Sequence, residues 1–270
     1  MYARSGTAEI AYEESSHRDG AEVLLIHAGV TDRRSWHHVV DRLRGRHRCV
    51  AFDMRGYGDT RYEPEPGWSV VDDALAVMEA ASLRRPIIVA CSMGGQAAID
   101  LALAHPDRAA ALILIGSAIR GAPYPEPQDP YMFELNERME AADAAGDVDE
   151  VNRLDAWMWL DGPAAEGRVA GAARELFLEM NGRALRAADP GEPAALPDAW
   201  PRLAELAMPT HLLVGDLDVE EIQVIDEQAA ALIPGSRHHV LEGVAHLPHL
   251  EGDGASLDAI AACAHAVQIT

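Results

Sequence analysis

Six short apolar runs, separated by more polar segments, constrain the fold of this 270-residue chain more than any other feature of its sequence. The hydrophobicity of each run is continuous rather than alternating, which is typical of strands buried on both faces of a parallel sheet. The intervening segments can form crossover helices, for example at 72–83 and 97–104. We therefore predict an α/β fold with a mostly parallel central sheet flanked by helices. The runs are 23–26, 49–52, 86–90, 112–115, 210–214 and 238–241.

The stretch between the fourth and fifth runs departs from this alternation of apolar runs and polar segments. It opens and closes with segments rich in proline, 123–130 and 189–201, and it contains no strand-like apolar run. Helix-like patterns fill the space between them, so we predict a helical insertion between two parts of one core domain. The helix-like segments are 131–145, 147–160 and 164–185. The predicted boundaries are 1–119 and 206–270 for the core and 120–205 for the insertion.

The composition excludes several classes of function. The chain has 44 acidic and 22 basic residues, a net charge of −22, and such a surface repels nucleic acid and anionic membranes. Every basic residue is an arginine, which excludes the Schiff-base and P-loop chemistry that needs lysine. We therefore expect a small-molecule substrate as partner, with neither nucleic acid nor membrane. The sequence leaves the formation of a homo-oligomer open.

The sequence also allows a prediction of the cellular compartment. No apolar run is long enough to cross a bilayer, and the first residues lack the basic and apolar regions of a secretory signal. Cys49, Cys91 and Cys263 are too few and too scattered for a disulfide framework. We therefore expect a cytoplasmic protein with reduced cysteines.

A serine stands where a predicted strand turns into a predicted helix. The strand ending at Ala90 continues into Cys91-Ser92-Met93-Gly94-Gly95 and then into a helix-like segment. A Gly-x-Ser-x-Gly turn in this context lifts the serine hydroxyl above the sheet, and the helix N-terminus adds a positive partial charge beneath it. Here Ala90 replaces the first glycine. We predict that Ser92 is a nucleophile; the alternative is an ordinary turn with an idle serine.

Partners for such a serine follow in the order that this kind of site requires. The hydroxyl needs a base to take its proton, and the base needs an acid to orient it. Asp216 and Asp218 follow the run 210–214, and His246 follows the run 238–241. Because the carboxyl ends of parallel strands share one edge of the sheet, we expect these side chains near Ser92.

Several other histidines resemble metal ligands. They are paired at 37–38 and 238–239, and His249 follows His246 at a His-x-x-His spacing. None is accompanied by a cysteine or carboxylate cluster at a recognised spacing. We interpret them as surface or strand-end histidines and predict no metal.

Acyl chemistry also requires two backbone N–H groups directed at the oxyanion. Met93, directly after the serine, is positioned to supply one. The loop after the run 23–26 reads His27-Ala28-Gly29-Val30-Thr31-Asp32, and its glycine permits close approach of a ligand. A plain turn is the alternative interpretation of this loop.

Five motifs in this order resemble the α/β-hydrolase superfamily along nearly the whole chain. The nearest resemblance is to the small bacterial branch that contains enol-lactonases, meta-cleavage-product hydrolases, and esterases or haloperoxidase-like enzymes. The motifs are His27-Ala28-Gly29, Asp53-Met54-Arg55-Gly56-Tyr57-Gly58, the serine turn, Gly215-Asp216-Leu217-Asp218 and His246-Leu247-Pro248-His249-Leu250-Glu251.

The resemblance implies a role for individual residues. It assigns the acid to Asp218 in preference to Asp216, and the base to His246. It gives the oxyanion donors as Met93 and Gly29, with Val30 as a neighbouring possibility because Ala28 replaces the usual glycine. Asp53 and Arg55 match a structural loop of the family.

The resemblance also makes the insertion 120–205 a cap over the nucleophile. Trp157 and Trp159 then become candidates for lining an apolar substrate pocket, together with Val30. The competing interpretation is that cap aromatic residues pack the cap onto the core.

The resulting hypothesis is a serine hydrolase that cleaves an ester, lactone or thioester of a small apolar substrate through an acyl-enzyme. No cofactor is expected. One alternative is a C–C bond hydrolase or a biosynthetic-pathway enzyme with the same triad. A second alternative is a non-catalytic ligand-binding protein of the same fold.

Overall fold

Eight strands form one sheet in the computed structural model, which describes residues 1–15 and 20–267. Their order across the sheet is β1-β2-β4-β3-β5-β6-β7-β8, and all neighbours from β4 to β8 are parallel. The strands are β1 (Tyr2–Ser5), β2 (Ala8–Glu14), β3 (Ala21–Ile26), β4 (His47–Phe52), β5 (Ile87–Cys91), β6 (Ala111–Ile115), β7 (Thr210–Gly215) and β8 (Arg237–Leu241).

The predicted mostly parallel sheet is confirmed, and the six apolar runs lie in strands except for Pro86, which precedes β5. Their side chains alternate between two buried clusters: Leu24 and Ile26 face one side, and Val23 and Leu25 face the other. Burial on both faces explains why the hydrophobicity is continuous. The sequence did not predict β1 and β2, which pair antiparallel at one edge of the sheet and lack such a run.

The described ranges also contain nine α-helices, which cover both faces of the sheet. Helices α2, α3 and α7 pack on one face, and α1 and α9 pack on the other. None of the nine is long and apolar enough to span a membrane. The helices are α1 (His37–Leu43), α2 (Val70–Ala80), α3 (Met93–Ala104), α4 (Pro130–Ala145), α5 (Val148–Asp155), α6 (Ala172–Ala184), α7 (Glu220–Leu232), α8 (Pro248–Glu251) and α9 (Gly254–Ala266).

The segment between β6 and β7, all of which the structure describes, contains helices and no strand. Helix α5 continues into a π-helical turn, Ala156–Asp161, and a 3₁₀ turn at Trp200–Glu205 leads back to β7. The predicted helical stretch 164–185 is helical only from Ala172 onward. Residues of α4, α5 and the π-helical turn pack against Val214 and Val219, which places them over the end of β7. The boundaries 120–205 for a cap stay a prediction.

Candidate active site

Ser92 lies at the sharp turn from β5 into α3. Its backbone angles, φ 53° and ψ −119°, are unusual for a residue with a side chain, and such strain costs on the order of 1–3 kcal/mol. Three hydrogen bonds hold this conformation. The Ser92 N–H donates to the Ile115 carbonyl (3.0 Å), and the Ser92 carbonyl accepts from Gln96 (3.0 Å) and Ala118 (3.1 Å). The strained serine is therefore fixed by both β6 and α3.

The turn is sharp because α3 begins almost in contact with the strand beside it. A Cβ atom on Gly94 would lie 2.4 Å from the Ile26 carbonyl oxygen and 2.5 Å from that of His27. Only glycine fits at such a distance from backbone atoms. This close approach places the N-terminus of α3 beside the loop that follows β3.

A buried aspartate and histidine form a pair beyond the ends of β7 and β8. Oδ2 of Asp218 lies 2.8 Å from Nδ1 of His246, and both side chains are almost completely buried. Oδ1 of Asp218 accepts the Val219 N–H at 2.8 Å. Because a carboxylate only accepts, the imidazole donates from Nδ1, and its Nε2 keeps a lone pair for a proton. This is the protonation pattern of a histidine that acts as a general base.

The pair lies at the same edge of the sheet as Ser92. The Sγ atom of Cys91, the residue before the serine, is 3.5 Å from the His246 carbonyl oxygen. Gly116 follows the strand residue that binds the Ser92 N–H, and a Cβ on it would lie 3.0 Å from Asp218 Oδ2 and from His246 Nδ1. Gly116, which follows Ile115 in the turn after β6, therefore lies directly against the Asp218–His246 pair.

Asp216, the other acidic candidate, has a different environment. It is exposed, and its Oδ1 accepts the Gly243 N–H at 2.7 Å. This bond joins the turns that follow β7 and β8. Asp218 contacts His246, whereas Asp216 stabilises the turn after β8 through its hydrogen bond to the Gly243 N–H.

Met93 and Gly29 lie next to one another. Met93 is the first residue of α3, so its N–H has no partner within the helix. A Cβ on Gly29 would lie 3.4 Å from Cε of Met93 and 3.5 Å from the hydroxyl oxygen of Tyr57. The structure thus places the Met93 side chain beside Gly29 and adds a tyrosine that the sequence analysis did not select, while the role of the two N–H groups as oxyanion donors stays a prediction.

Tyr57 belongs to the loop after β4. Its ring packs edge-on against His27 with centroids 5.0 Å apart. Burial raises the pKa of Tyr57 to about 12, and the nearby Asp155 carboxylate acts in the same direction. The phenol is therefore protonated at neutral pH and can donate a hydrogen bond. Its position after the carboxyl end of a parallel strand is the signal that could have identified it.

Buried polar contacts fix the loops on which these groups stand. The Nε2 atom of His27 accepts the Met54 N–H at 3.0 Å, and Nδ1 donates to the Ala28 carbonyl at 2.7 Å. Burial lowers the pKa of His27, so the ring is neutral. Asp53 accepts the backbone N–H groups of Arg33 and Asp59. These contacts give the loop beginning at Asp53 a structural role.

The two candidate tryptophans differ in their surroundings. Trp159 is partly exposed and lies against His246, with ring centroids 4.7 Å apart. Trp157 is 4% exposed, and its indole N–H donates to the Pro163 carbonyl at 2.9 Å. Val30 is half-buried beside the cluster on the α1 and α9 face. Of the two tryptophans, Trp159 is the one in contact with the candidate base.

Fold and site together define a class of protein. A mostly parallel sheet carries a strained serine at a strand-to-helix turn, and a buried Asp–His pair stands at the same edge, as in α/β hydrolases. The chain belongs to the alpha/beta hydrolase family, whose sequence model matches residues 23–261. The resemblance drawn from the five motifs is confirmed, and so is the predicted fold class.

A relative of known name is similar to part of the chain. A stretch of 108 residues is 35% identical to the 2-hydroxymuconate semialdehyde hydrolase of Pseudomonas sp. (strain CF600), and it covers 37% of this chain and 37% of that protein. The chain thus matches little more than a third of that relative's length.

Solved structures resemble the chain over nearly its whole length. A thermophilic esterase from Thermogutta terrifontis has a TM-score of 0.77 at 24% identity and covers 100% of this chain and 99% of its own. The enol-lactonase of Burkholderia xenovorans LB400 has a TM-score of 0.74 at 20% identity, with 97% and 99% covered. These matches show the fold, and together with the family they support a hydrolase.

Proposed function

We propose that this protein is a serine hydrolase that cleaves a carboxylic ester, lactone or thioester of a small, largely apolar molecule. The observation that carries the proposal is the strained Ser92 at the same sheet edge as the buried Asp218–His246 pair. A binding protein of this fold has no need for a serine held in a costly conformation beside such a pair. The acidic surface, with a net charge of −22, further favours a substrate that is not strongly anionic.

In the first half-reaction, Nε2 of His246 takes the proton of the Ser92 hydroxyl, and the serine oxygen attacks the carbonyl carbon. Asp218 keeps the imidazole oriented through Nδ1 and stabilises its positive charge. The N–H groups of Met93 and Gly29 bind the developing oxyanion, and the α3 N-terminus adds its partial charge. His246 then returns the proton to the leaving oxygen or sulfur, which leaves an acyl group on Ser92.

In the second half-reaction, His246 takes a proton from water, whose oxygen attacks the acyl carbon. The tetrahedral intermediate collapses, and the proton returns to the Ser92 oxygen as the carboxylic acid leaves. Trp159 supplies apolar surface beside His246, Val30 directly follows Gly29 in the chain, and the Tyr57 hydroxyl is a hydrogen-bond donor near the oxyanion site. We assign Trp157 to the packing of the cap rather than to the substrate.

The test of the proposed nucleophile uses pre-steady-state kinetics. Wild type and Ser92→Ala are compared with p-nitrophenyl esters of increasing acyl length in a stopped-flow instrument. We expect a burst of p-nitrophenol in the wild type and a loss of turnover of about 10³-fold or more in the variant. Undiminished hydrolysis by the variant would show that Ser92 is not the nucleophile.

Ser82 provides a matched control. It is also a serine with a left-handed backbone (φ 57°), but it is exposed and lies in the turn after α2. Ser82→Ala should keep both the burst and covalent labelling by a fluorophosphonate. Failure of the wild type to be labelled at Ser92 would favour the non-catalytic alternative.

C–C bond hydrolysis beside a ketone is the second candidate, because the relative with 35% identity is named for a semialdehyde substrate. The same serine and base serve that reaction. Labelling of Ser92 by a fluorophosphonate, combined with no turnover of any ester in the series, would favour this candidate over the first.

A further inference from the structure

Two histidines and a cysteine converge at the end of β7 remote from Asp218. His211 is the second residue of β7, His239 lies in β8, and Cys263 lies in α9. The Nδ1 atom of His211 is 3.0 Å from Nε2 of His239, which is 3.9 Å from Sγ of Cys263. One donor atom from each residue lies within 4.8 Å of the other two. In the part of the chain that the structure describes, no other His, Cys, Asp or Glu group meets this criterion.

The register of the sheet explains why they meet. His239 pairs with Leu213, two residues beyond His211, so the two histidines are diagonal neighbours on one face of a parallel pair. Helix α9 covers this face, and its Cys263 belongs to the same buried cluster as Leu213 and Leu241. The cluster therefore joins two strands and a helix that are distant in sequence.

We propose that His211, His239 and Cys263 bind one Zn²⁺ ion. Two imidazoles and a thiolate are a donor set that selects zinc over magnesium or calcium, which prefer oxygen ligands. Tetrahedral zinc, with bonds of about 2.0 Å to nitrogen and 2.3 Å to sulfur, requires donor separations of about 3.4 Å (N to N) and 3.6 Å (N to S). The separations around His239 are within about half an ångström of these values. Small side-chain rotations would therefore complete the site.

Burial affects both histidines of the cluster. Burial lowers the pKa of His211, with the charges of His239 and Arg237 acting in the same direction. Burial likewise lowers the pKa of His239, together with the charges of His238 and Arg237. In the contact between Nδ1 of His211 and Nε2 of His239 one nitrogen carries a proton, so zinc binding requires that proton to move to the other nitrogen of its ring.

The thiol and the arginine oppose binding at neutral pH. Burial raises the pKa of Cys263 to about 11, so zinc has to displace its proton. The exposed Arg237 adds a repulsive charge.

A cavity borders the cluster on the side of His211, the one of the three residues that lines it. It has a volume of about 510 Å³ and is lined by His211 and Arg237 at the β7 and β8 ends and by Val267 after α9. Such a volume holds water molecules, and a three-residue zinc site commonly keeps one as its fourth ligand. An anionic ligand in this cavity would also neutralise Arg237.

The experiment measures metal binding directly. Metal-free full-length protein is titrated with Zn²⁺ by calorimetry, and with Co²⁺ by absorption spectroscopy. We expect one ion per chain, a thiolate-to-cobalt charge-transfer band, and a higher thermal midpoint with zinc. Cys263→Ser should abolish the band, and both this variant and His239→Ala should lower zinc affinity about 100-fold or more. Absence of binding by the wild type, or binding without the thiolate band, would overturn the proposal.

Three variants serve as controls. His238 is adjacent in sequence but pairs with Asp226 on the opposite face, so His238→Gln should bind zinc like the wild type. His37→Ala/His38→Ala removes an adjacent surface pair whose rings are 3.7 Å apart. Loss of binding in either of these variants would contradict the assignment to Cys263 and His239. Ser92→Ala should bind zinc normally, which separates this proposal from the proposed hydrolase mechanism.

Discussion

The indole ring of Trp159 lies against the imidazole of His246, with centroids 4.7 Å apart and planes inclined by 48°. Trp159 belongs to the segment between β6 and β7, whereas His246 follows β8. Asp155, four residues before Trp159, accepts a hydrogen bond from the Asn181 amide at 2.8 Å. The segment between β6 and β7 therefore contributes one wall of the proposed active site.

Replacing Trp159 should affect catalysis more than folding. An aromatic pair of this kind contributes about 0.5–1.5 kcal/mol, so we expect Trp159→Ala to lower kcat/KM about 2- to 10-fold, and Trp159→Phe to lower it less. Trp157→Phe is the matched control. It removes the hydrogen bond to Pro163 and should lower the free energy of unfolding by about 1 kcal/mol with little change in kcat/KM. Equal kinetic effects of the Trp159→Ala and Trp157→Phe variants would contradict the assignment.

The two aspartates after β7 should differ sharply in their effect on activity. Asp218→Asn removes the carboxylate that orients His246, and we expect kcat to fall about 10³- to 10⁴-fold with the fold retained. Asp216→Asn weakens only the bond to the Gly243 N–H and should cost about 1 kcal/mol of unfolding free energy or less. Steady-state kinetics and urea unfolding of both variants check this, and a larger loss of kcat in Asp216→Asn would reverse the choice of acid.

Gly116 should tolerate no side chain. Its φ of 48° strains any other residue, and a Cβ would press on Asp218 and His246. We expect Gly116→Ala to lower kcat/KM at least about 10-fold and to cost about 1–2 kcal/mol of unfolding free energy. Gly146 separates these effects, because its φ is 66° but no atom lies within 4 Å of its Cβ position. Gly146→Ala should lose similar stability and keep full activity; a comparable loss of activity would rule out the steric explanation.

Asp226 should make stability depend on pH. It is buried on α7, 3.2 Å from Nε2 of His238, and burial raises its pKa to about 6. Between about pH 4 and pH 6 the folded state binds more protons at this group than the unfolded state, so stability falls as the pH rises. The raised pKa of His238, whose main cause is its hydrogen bond to Asp226, also makes stability fall as the pH rises, but at pH values above 6.5.

Asp226→Asn cannot ionise and should lack this dependence. Relative to the variant, the wild type should lose about 2 kcal/mol of unfolding free energy between about pH 4.5 and pH 8, which is the larger part of the full effect of a shift of about two pKa units. Urea unfolding of both proteins at about pH 4.5 and pH 8 measures the difference. Parallel pH profiles would contradict the prediction, and hydrolytic activity provides a check that both proteins are folded.

Much of the architecture could be predicted from local sequence. A strand buried on both faces requires an uninterrupted apolar run, so β3 to β7 are visible in the sequence itself, whereas β8 is an edge strand that is mostly exposed. Parallel strands end at one edge, which is why a serine after β5, an aspartate after β7 and a histidine after β8 could be expected to meet. The hairpin β1–β2 was missed because one buried face needs no such run.

Other relationships exist only in the folded chain. The sequence contains Asp216 and Asp218 at nearly equivalent positions, and only the path of the turn directs Asp218 towards His246. Tyr57 and Gly116 border the site because loops from separate strands converge there.

The His211, His239 and Cys263 cluster depends on tertiary structure even more completely. Its spacings in sequence match no metal motif, and the three residues meet through strand register and the packing of α9. Local sequence determined the strands and the chemical groups at their ends, because the apolar runs and the residues that follow them are consecutive in the chain. Only tertiary packing decided which of those groups came within bonding distance, because a bond of about 3 Å depends on backbone positions that no neighbouring residue specifies.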